Sequence, residues 1–493
     1  MASAPERLVA PNVRDGSRGL KSSNGLLNLS PIPPILRPFI RAYLLGYASA
    51  VGPRLLTLIL QRLTRRKRRR LSQGRDRDTS SFRQSALYII RTGFDFQRFP
   101  TFCAVLVGGS TWFMIHGGDA DAYLTRRLAR WLATFISAWL GMRLLHSKDS
   151  PAFTEAGPVG EDGKREKILH GGRTVDLTLF AATRAMDVLV GEYWARHSAR
   201  RKAAKKWTKL EQLATNMIDP SVFIVSCSFI MWAWFYHPTN LPRSYDKWIT
   251  SAASVDSRLI EALRSCHRGE LRYGEEAGGK SKSSVLGSMC ADYGWPRTWG
   301  NPAETIPFPC DMVHMGCGPS CEYHAVSRFA RSFRWSMYTY LPLALAFRLR
   351  RPTRRGVLLA VLSSARSSAF LGAFITLFYY GVCLARTRVG PRVVGKDVGA
   401  RQRIDSGLCV GAGCVLCGWS VLIETASRRK DMALFVAPRA LGTVVPRRYP
   451  RDKQWREAAV FAASAAIIMT CVLENPQRVR GVLGRLMGTV MKM

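Results

Sequence analysis

The stretch SSAFLGAFITLFYYGVCLA, residues 367–385, contains no charged side chain. A helix needs about 20 mostly apolar residues to cross the hydrocarbon core of a bilayer. The basic run RLRRPTRR, at 348–355, lies just before this stretch. Arginine-rich flanks around an apolar block are typical of a membrane span rather than of a soluble core. The stretch therefore predicts a membrane-spanning helix.

Seven further apolar blocks lie along the chain, at residues 42–60, 99–115, 131–145, 222–236, 335–347, 406–423 and 458–473. A second basic run, RLTRRKRRR, follows the first of them. Several blocks are shorter than a full span, and buried helices of a large soluble protein are the alternative interpretation. The pattern favours an all-α fold, a multi-pass helical membrane protein whose partner is the lipid bilayer.

The charge balance is extreme for a chain with so many apolar residues. Lys and Arg total 73 against 34 acidic residues, a net charge of +39, while 47% of the residues are hydrophobic. A soluble nucleic-acid-binding protein can carry such an excess, and a membrane protein can carry it in its loops. Because the basic residues collect between the apolar blocks, we expect a membrane protein with no nucleic-acid partner.

Two distant segments have nearly the same sequence: DLTLFAATRA at 176–185 and DMALFVAPRA at 431–440. Neighbouring segments match in the same order, 80–86 with 363–369 and 222–238 with 460–476. Chance identity is roughly one in fifteen per position at average composition, so three collinear matches indicate an internal repeat. Four spans return the chain to its starting side, which predicts two parallel repeats.

The repeat divides the chain into five regions. We predict a disordered basic N-terminal tail at 1–36, a first four-span repeat at 37–238, a Cys/His-containing soluble segment at 239–333, a second four-span repeat at 334–476 and a basic C-terminal tail at 477–493.

Each copy of the repeated segment predicts an amphipathic helix along the membrane interface. Asp176 and Arg184 are about two helical turns apart, as are Asp431 and Arg439, so each pair shares one face. That face is either solvated, or it lines a crevice or contacts lipid headgroups.

Arg83 and Arg366 occupy equivalent repeat positions at the mouths of the second spans. Charge inside a membrane is costly and usually functional, and the ordinary alternative is that both side chains snorkel to the interface.

The segment PCDMVHMGCGPSCEYH contains Cys310, His314, Cys317, Cys321 and His324. Thiolates and imidazoles are the ligands that structural zinc prefers, and four of these residues would complete a tetrahedral site. The spacing matches no standard zinc module. A disulfide that involves Cys266, Cys290 or Cys310 and a set of free thiols both stay open.

Small residues in the block 406–423 indicate close helix packing. Gly407, Gly411 and Gly418 are the packing positions, and such faces also allow homo- or hetero-oligomers. The chain contains no phosphate-binding loop, nucleophile elbow or catalytic zinc motif. We therefore expect no enzymatic activity and no cofactor other than the zinc ion considered above.

Residues 363–385, together with the Cys/His segment before them and RRKDMALFVAPRAL after them, resemble the transmembrane protein 135 family, also called peroxisomal membrane protein 52. The resemblance covers most of 220–476. It implies a multi-pass protein of peroxisomal or mitochondrial membranes, linked to mitochondrial division and fat metabolism. The family is distantly similar to the four-helix mitochondrial preprotein translocase channels.

Cys310, His314 and Cys321 fall where this family carries its Cys/His block. The chain lacks a similar block before its first span, which puts a two-block metal arrangement in doubt. The family offers no catalytic residues to carry over.

Three functional hypotheses follow. The first is a non-enzymatic organelle membrane protein that acts in organelle dynamics and lipid metabolism. The second is a transporter or translocase-like conduit for lipid or polypeptide, which a groove lined by both halves would favour. A membrane enzyme of lipid metabolism is the third, and it would require a converging acid/base cluster.

Overall fold

The structure is a computed structural model that describes residues 32–33, 35–71, 82–116, 123–159, 165–275, 283–346, 348, 353–475 and 478–490. It is about 81% helical, which confirms the all-α prediction. The predicted N-terminal tail falls mainly on residues outside the described ones.

The first helices are α1 (Leu36–Leu71), α2 (Phe82–Gly93), α3 (Phe99–His116), α4 (Tyr123–His146), α5 (Val175–Ala203) and α6 (Lys209–Tyr236). The intervening segment forms α7 (Arg243–Ala253), α8 (Ser257–His267), α9 (Ser283–Tyr293) and α10 (Cys310–His314). The remaining helices are α11 (Cys321–Ala346), α12 (Arg354–Leu384), α13 (Gly390–Val393), α14 (Val398–Arg403), α15 (Cys409–Cys417), α16 (Ala426–Val444), α17 (Gln454–Glu474) and α18 (Gly481–Val490).

Five helical segments among the described residues are long and apolar enough to cross a membrane: Leu36–Arg62, Lys209–Tyr236, Arg354–Val393, Val398–Ile423 and Arg451–Glu474. They coincide with five of the eight predicted spans. A shorter apolar helix, Phe99–Thr111, contains most of a sixth. The blocks 131–145 and 335–347 lie in α4 and α11.

Local sequence explains where the long helices begin. Thr208 and Glu211 form a reciprocal capping box at the start of α6, in which each side chain bonds the other residue's backbone amide. The Thr353 hydroxyl accepts a hydrogen bond from the Gly356 amide at 3.1 Å at the start of α12. Each cap satisfies amides that have no partner inside the helix and contributes about 1 kcal/mol.

The helices pack as two bundles that exchange one helix each. The first bundle consists of α1, α3, α4, α5 and α17, and the second of α6, α11, α12, α15 and α16. Thus α17, from the second half of the chain, lies in the first bundle, while α6, from the first half, lies in the second. The two bundles meet where α5 packs against α16.

The exchanged helices carry much of each core. In the first bundle, α17 supplies four of the buried side chains that pack with those of α3, α4 and α5: Ala458, Phe461, Ala462 and Ala465. In the second, α6 supplies Phe223, Cys227, Ile230, Met231 and Trp234. Full burial of one large apolar side chain contributes about 1.5–3 kcal/mol, so each bundle depends on the helix it receives.

Helices α7 to α10 cover one end of the second bundle and share its core. Leu259 and Leu263 of α8, and Met312 of α10, belong to the same buried cluster as Phe378 of α12 and Val410 of α15. The predicted soluble segment is therefore packed directly onto the spans.

A small sheet joins the two halves outside the bundles. Strands β1 (Thr154–Val159), β2 (Arg165–Gly171) and β3 (Tyr449–Pro450) pair antiparallel in that order. Beyond residue 477, where we predicted a basic tail, the structure has α18. Its Met487 and Val490 pack with Ala42, Val107 and Met469.

Candidate metal centre

Three of the five predicted Cys/His ligands lie together. The Cys310 and Cys321 thiols and a ring nitrogen of His314 are within 4.8 Å of one another. Cys310 and His314 bound the one-turn helix α10, and Cys321 begins α11. The turn between these helices uses Gly316 and Gly318 at φ +80° and +87°. Glycine adopts such positive φ angles without the steric cost that a side chain imposes.

His314 is oriented for a ligand. It is fully buried, and its Nδ1 lies 2.7 Å from the Gly318 carbonyl oxygen. A carbonyl only accepts, so Nδ1 carries the proton and Nε2 presents a lone pair. A backbone carbonyl that fixes the imidazole tautomer in this way is usual around metal-ligating histidines.

Cys317 and His324 lie outside this group. The Cys317 sulfur accepts a hydrogen bond from Arg331 at 3.4 Å. The His324 ring stacks on His314 with centroids 4.6 Å apart, and neither of its ring nitrogens has a hydrogen-bond partner among the described residues. Burial, with the nearby His314 second, lowers the pKa of His324 to about 3. His324 is therefore neutral at physiological pH.

The Cys310 thiol is shielded from water. Burial raises its pKa to about 11, and the Arg386 guanidinium acts in the opposite direction. A thiol in such a site is protonated near neutral pH unless a cation takes the place of its proton. The group as it stands is a compact Cys-His-Cys arrangement.

A buried ion pair, which the sequence analysis missed, lies beside this group. Arg386 donates to both oxygens of Asp405, at 2.6 and 2.9 Å. The two side chains are only 3% and 1% exposed. Tyr273 donates to the same carboxylate at 2.5 Å, and Arg386 also donates to the Phe308 carbonyl at 3.0 Å. The pair thereby connects the intervening segment to the two spans.

The backbone changes where this ion pair sits. Ala385–Val389, after α12, and Ile404–Leu408, before α15, are π-helical turns. Such wide turns often mark functional or strained positions in a helix. The sequence signal was available: an arginine follows the block 367–385 directly, and an aspartate directly precedes the block 406–423.

The repeated acid and arginine positions lie near the contact between α5 and α16. Arg184 is buried, 7% exposed, and it is close enough to Asp431 for the two charges to interact. Asp176 pairs with Arg447 at 3.1 Å. Arg439 lies over the Phe435 ring at 3.7 Å. The polar face of α5 is thus turned toward the protein at Arg184.

The apolar face of α5 points outward: Met186, Leu189 and Val190 are 57%, 49% and 50% exposed. Between α4, α5 and α17 there is a crevice of about 700 Å³. Its wall includes Leu128, Leu189 and Ile467, and its charged residues are Arg127, Glu192, Arg196, Glu474 and Arg478. Both halves of the chain line it.

The second-span arginines are on the surface. Arg83 is exposed on α2 and Arg366 is exposed on α12. Neither lines the crevice.

The three predicted packing glycines face α6. A side-chain carbon at Gly418 would lie 2.7 Å from the Ile224 Cα. One at Gly407 or Gly411 would lie 3.2 or 3.7 Å from the Trp232 ring. These glycines let α6 approach the second bundle closely.

Helices of this length and apolarity indicate an integral membrane protein, in which a Cys-His-Cys group lies at the junction of a packed segment and the spans. Comparison with family models, with curated proteins and with solved structures finds no match to this chain.

Proposed function

We propose that this protein is a non-enzymatic, multi-pass organelle membrane protein of the transmembrane protein 135 type. It acts in peroxisomal or mitochondrial membranes, in organelle dynamics and lipid metabolism. Its partner is the bilayer, and small-residue helix faces provide contacts for oligomers. It consists of two parallel repeats, each with an amphipathic helix, α5 or α16.

The exchange of α6 and α17 is the observation that supports this proposal. In both bundles a first helix packs on a second and the second on a third, while the last helix comes from the other half. Repeats related by one axis place equivalent elements in equivalent surroundings. The approach of Arg184 to Asp431, which are motif positions from different halves, agrees with this arrangement. Such an interlocked frame suits a scaffold in the membrane.

The structural part of the proposal includes a zinc ion held by Cys310, His314 and Cys321. Zinc with thiolate and imidazole ligands stabilises small segments that have few buried residues of their own. The ion would fix α10 and the start of α11 on the second bundle.

Localisation and rescue test the function. A tagged copy should remain in the membrane pellet after alkaline carbonate extraction and should coincide with a peroxisomal or mitochondrial marker. In cells that lack the protein, it should restore organelle morphology and lipid content. Residence in an unrelated membrane, or unchanged organelles in cells without the protein, would reject the proposal.

The role of the exchange is tested with two variants of one helix. Ala462 of α17 is fully buried, whereas Val460 is 49% exposed. Ala462→Trp should prevent assembly and rescue because the core has no room for an indole, and Val460→Trp should rescue. Full rescue by Ala462→Trp would mean that the exchange is not required.

A conduit for lipid is the second candidate, favoured by the crevice between α4, α5 and α17. An apolar wall beside charged residues suits an amphipathic molecule. We expect phospholipid to co-purify with the wild-type protein and to be displaced in Leu189→Trp, a change that fills the crevice. Equal lipid content in both proteins would argue for the scaffold alone.

A further inference from the structure

Cys383 of α12 lies against the Cys-His-Cys group, although it is at least 62 residues from Cys310 and Cys321 in sequence (383 − 321 = 62). Its sulfur is 3.4 Å from His314 Nε2, and it is close enough to Cys321 for the two thiols to interact. It is 1% exposed. A tetrahedral zinc ion with bonds of about 2.0–2.3 Å holds its ligand atoms roughly 3.5–3.8 Å apart. The distance from Cys383 to His314 already matches that spacing.

The competing ligands are poorly placed. A ligating nitrogen points its lone pair in the plane of its ring, and the His324 ring is stacked on His314 at an interplanar angle of 18°. Two nearly parallel rings direct their lone pairs along separate, parallel planes. His314 and His324 therefore cannot both bind one zinc ion at about 2 Å. The Cys317 sulfur is already a hydrogen-bond acceptor of Arg331.

Arg386 provides an independent sign that a hydrogen-bond acceptor belongs at this position. It lies three residues after Cys383 and is 4% exposed. Its Nη1 has no hydrogen-bond partner within the described part of the chain, and its guanidinium is near enough to Cys310 to affect that thiol electrostatically. A buried unpaired donor is costly. The charge of Arg386 is already balanced by Asp405, but a zinc-bound thiolate beside it would supply the acceptor that its Nη1 lacks.

We propose that Cys383 is the fourth ligand of a tetrahedral zinc site, formed with Cys310, His314 and Cys321. This inference rests on the zinc ion proposed above. Because Cys383 belongs to a span, the ion does more than stabilise the turn between α10 and α11: it joins the intervening segment directly to α12. On binding, each of the three thiols releases its proton to solvent, and the His314 Nε2 lone pair completes the coordination.

Metal analysis of the full-length protein, purified in detergent without chelator, tests the site. We expect about one zinc per chain in the wild type. Cys383→Ser should lower the zinc affinity by more than the ~10–100-fold that follows loss of an outer-shell partner. Cys310→Ser should behave in the same way, while the matched control Cys317→Ser should keep its zinc.

X-ray absorption at the zinc edge of the wild-type protein gives the ligand count without any variant. We expect three sulfur atoms at about 2.3 Å and one nitrogen at about 2.0 Å. Zinc retained at wild-type affinity by Cys383→Ser but not by Cys310→Ser, or a spectrum with two sulfurs and two nitrogens, would overturn the role of Cys383 alone. A wild-type protein without zinc would overturn both this inference and the proposed zinc site.

Discussion

Replacing Arg386 by methionine removes the positive partner of a fully buried ion pair while keeping most of the side-chain volume. The change leaves the Asp405 carboxylate, 1% exposed, with Tyr273 as its remaining side-chain donor among the described residues. It also removes the hydrogen bond to the Phe308 carbonyl. An uncompensated carboxylate in this site must stay charged at high cost or take up a proton.

Breaking one side of a buried, hydrogen-bonded pair costs about 3–5 kcal/mol. Arg388 provides a matched control, since it lies in the same π-helical turn and pairs with Glu322, with both side chains 53% exposed. Solvent screens such a pair, so Arg388→Met should cost about 0–1 kcal/mol. The two variants remove the same charge and differ mainly in burial.

The free energy of unfolding, measured by denaturant titration of zinc-loaded protein in detergent micelles, compares the two variants. A double variant, Arg386→Met with Asp405→Leu, removes both charges and should recover much of the loss, because no unpaired charge remains. If Arg386→Met were no more destabilising than Arg388→Met, the buried ion pair would not stabilise the fold as expected. The same would follow if the double variant lost as much stability as the single variants Arg386→Met and Asp405→Leu lose in total.

Three other perturbations have defined outcomes. Removal of zinc with a chelator should speed amide hydrogen exchange in 310–324, while α4 and α17 keep their protection, because none of the proposed ligands lies in those two helices. Gly418→Ala should destabilise the fold by about 1–3 kcal/mol because its side chain would meet the Ile224 backbone. Gly191→Ala should stabilise it by about 0.5–1 kcal/mol, since no neighbouring atom lies within 4 Å of the added carbon. Thermal unfolding of both variants measures the difference. Glu457→Leu should lower the free energy of unfolding by about 1–3 kcal/mol, because the Thr178 hydroxyl, which donates to Glu457 at 3.1 Å, would lose its buried acceptor. Val460→Leu, on the exposed side of α17, is the control in the same unfolding assay.

The spans were predictable because apolar length is a local property of the sequence. Five of the eight blocks became helices that can cross a membrane. The block 131–145 lies in α4, whose first turns contain Arg126, Arg127 and Arg130. Charged residues in the same helix dilute the apolar signal there, so block composition alone could not define the helix.

The candidate metal centre was predicted only in part, because its members come from elements that packing alone brings together. Spacing pointed to Cys310, His314 and Cys321, which lie close together in sequence on α10 and at the start of α11. It also pointed to Cys317 and His324, since a sequence window cannot show that one faces Arg331 and the other stacks on a ring. Cys383 stood inside an apolar block, where a cysteine is usually an ordinary packing residue.

The polar face of the repeated segment illustrates the same limit. Helical spacing placed Asp176 and Arg184 on one side of α5, but it could not say whether that side meets water or protein. The structure has Arg184 buried near Asp431, with Met186 and Leu189 outward. In a membrane protein the outer surface is apolar, so the usual rule that polar faces point outward does not apply.

The junction between the intervening segment and the spans gathers most of the polar interactions that sequence reasoning missed. Tyr273 and Phe308 bind the Arg386–Asp405 pair, and the Cys-His-Cys group touches Cys383 three residues before Arg386. Two independent attachments therefore reach one short stretch of α12 and its π-helical turn. A segment held at two such points cannot turn as a rigid body without breaking a buried charge pair or the cysteine cluster. It follows that the described residues of 239–275 and 283–333 are fixed to the second bundle at this stretch of α12, by packing and by the buried charge pair.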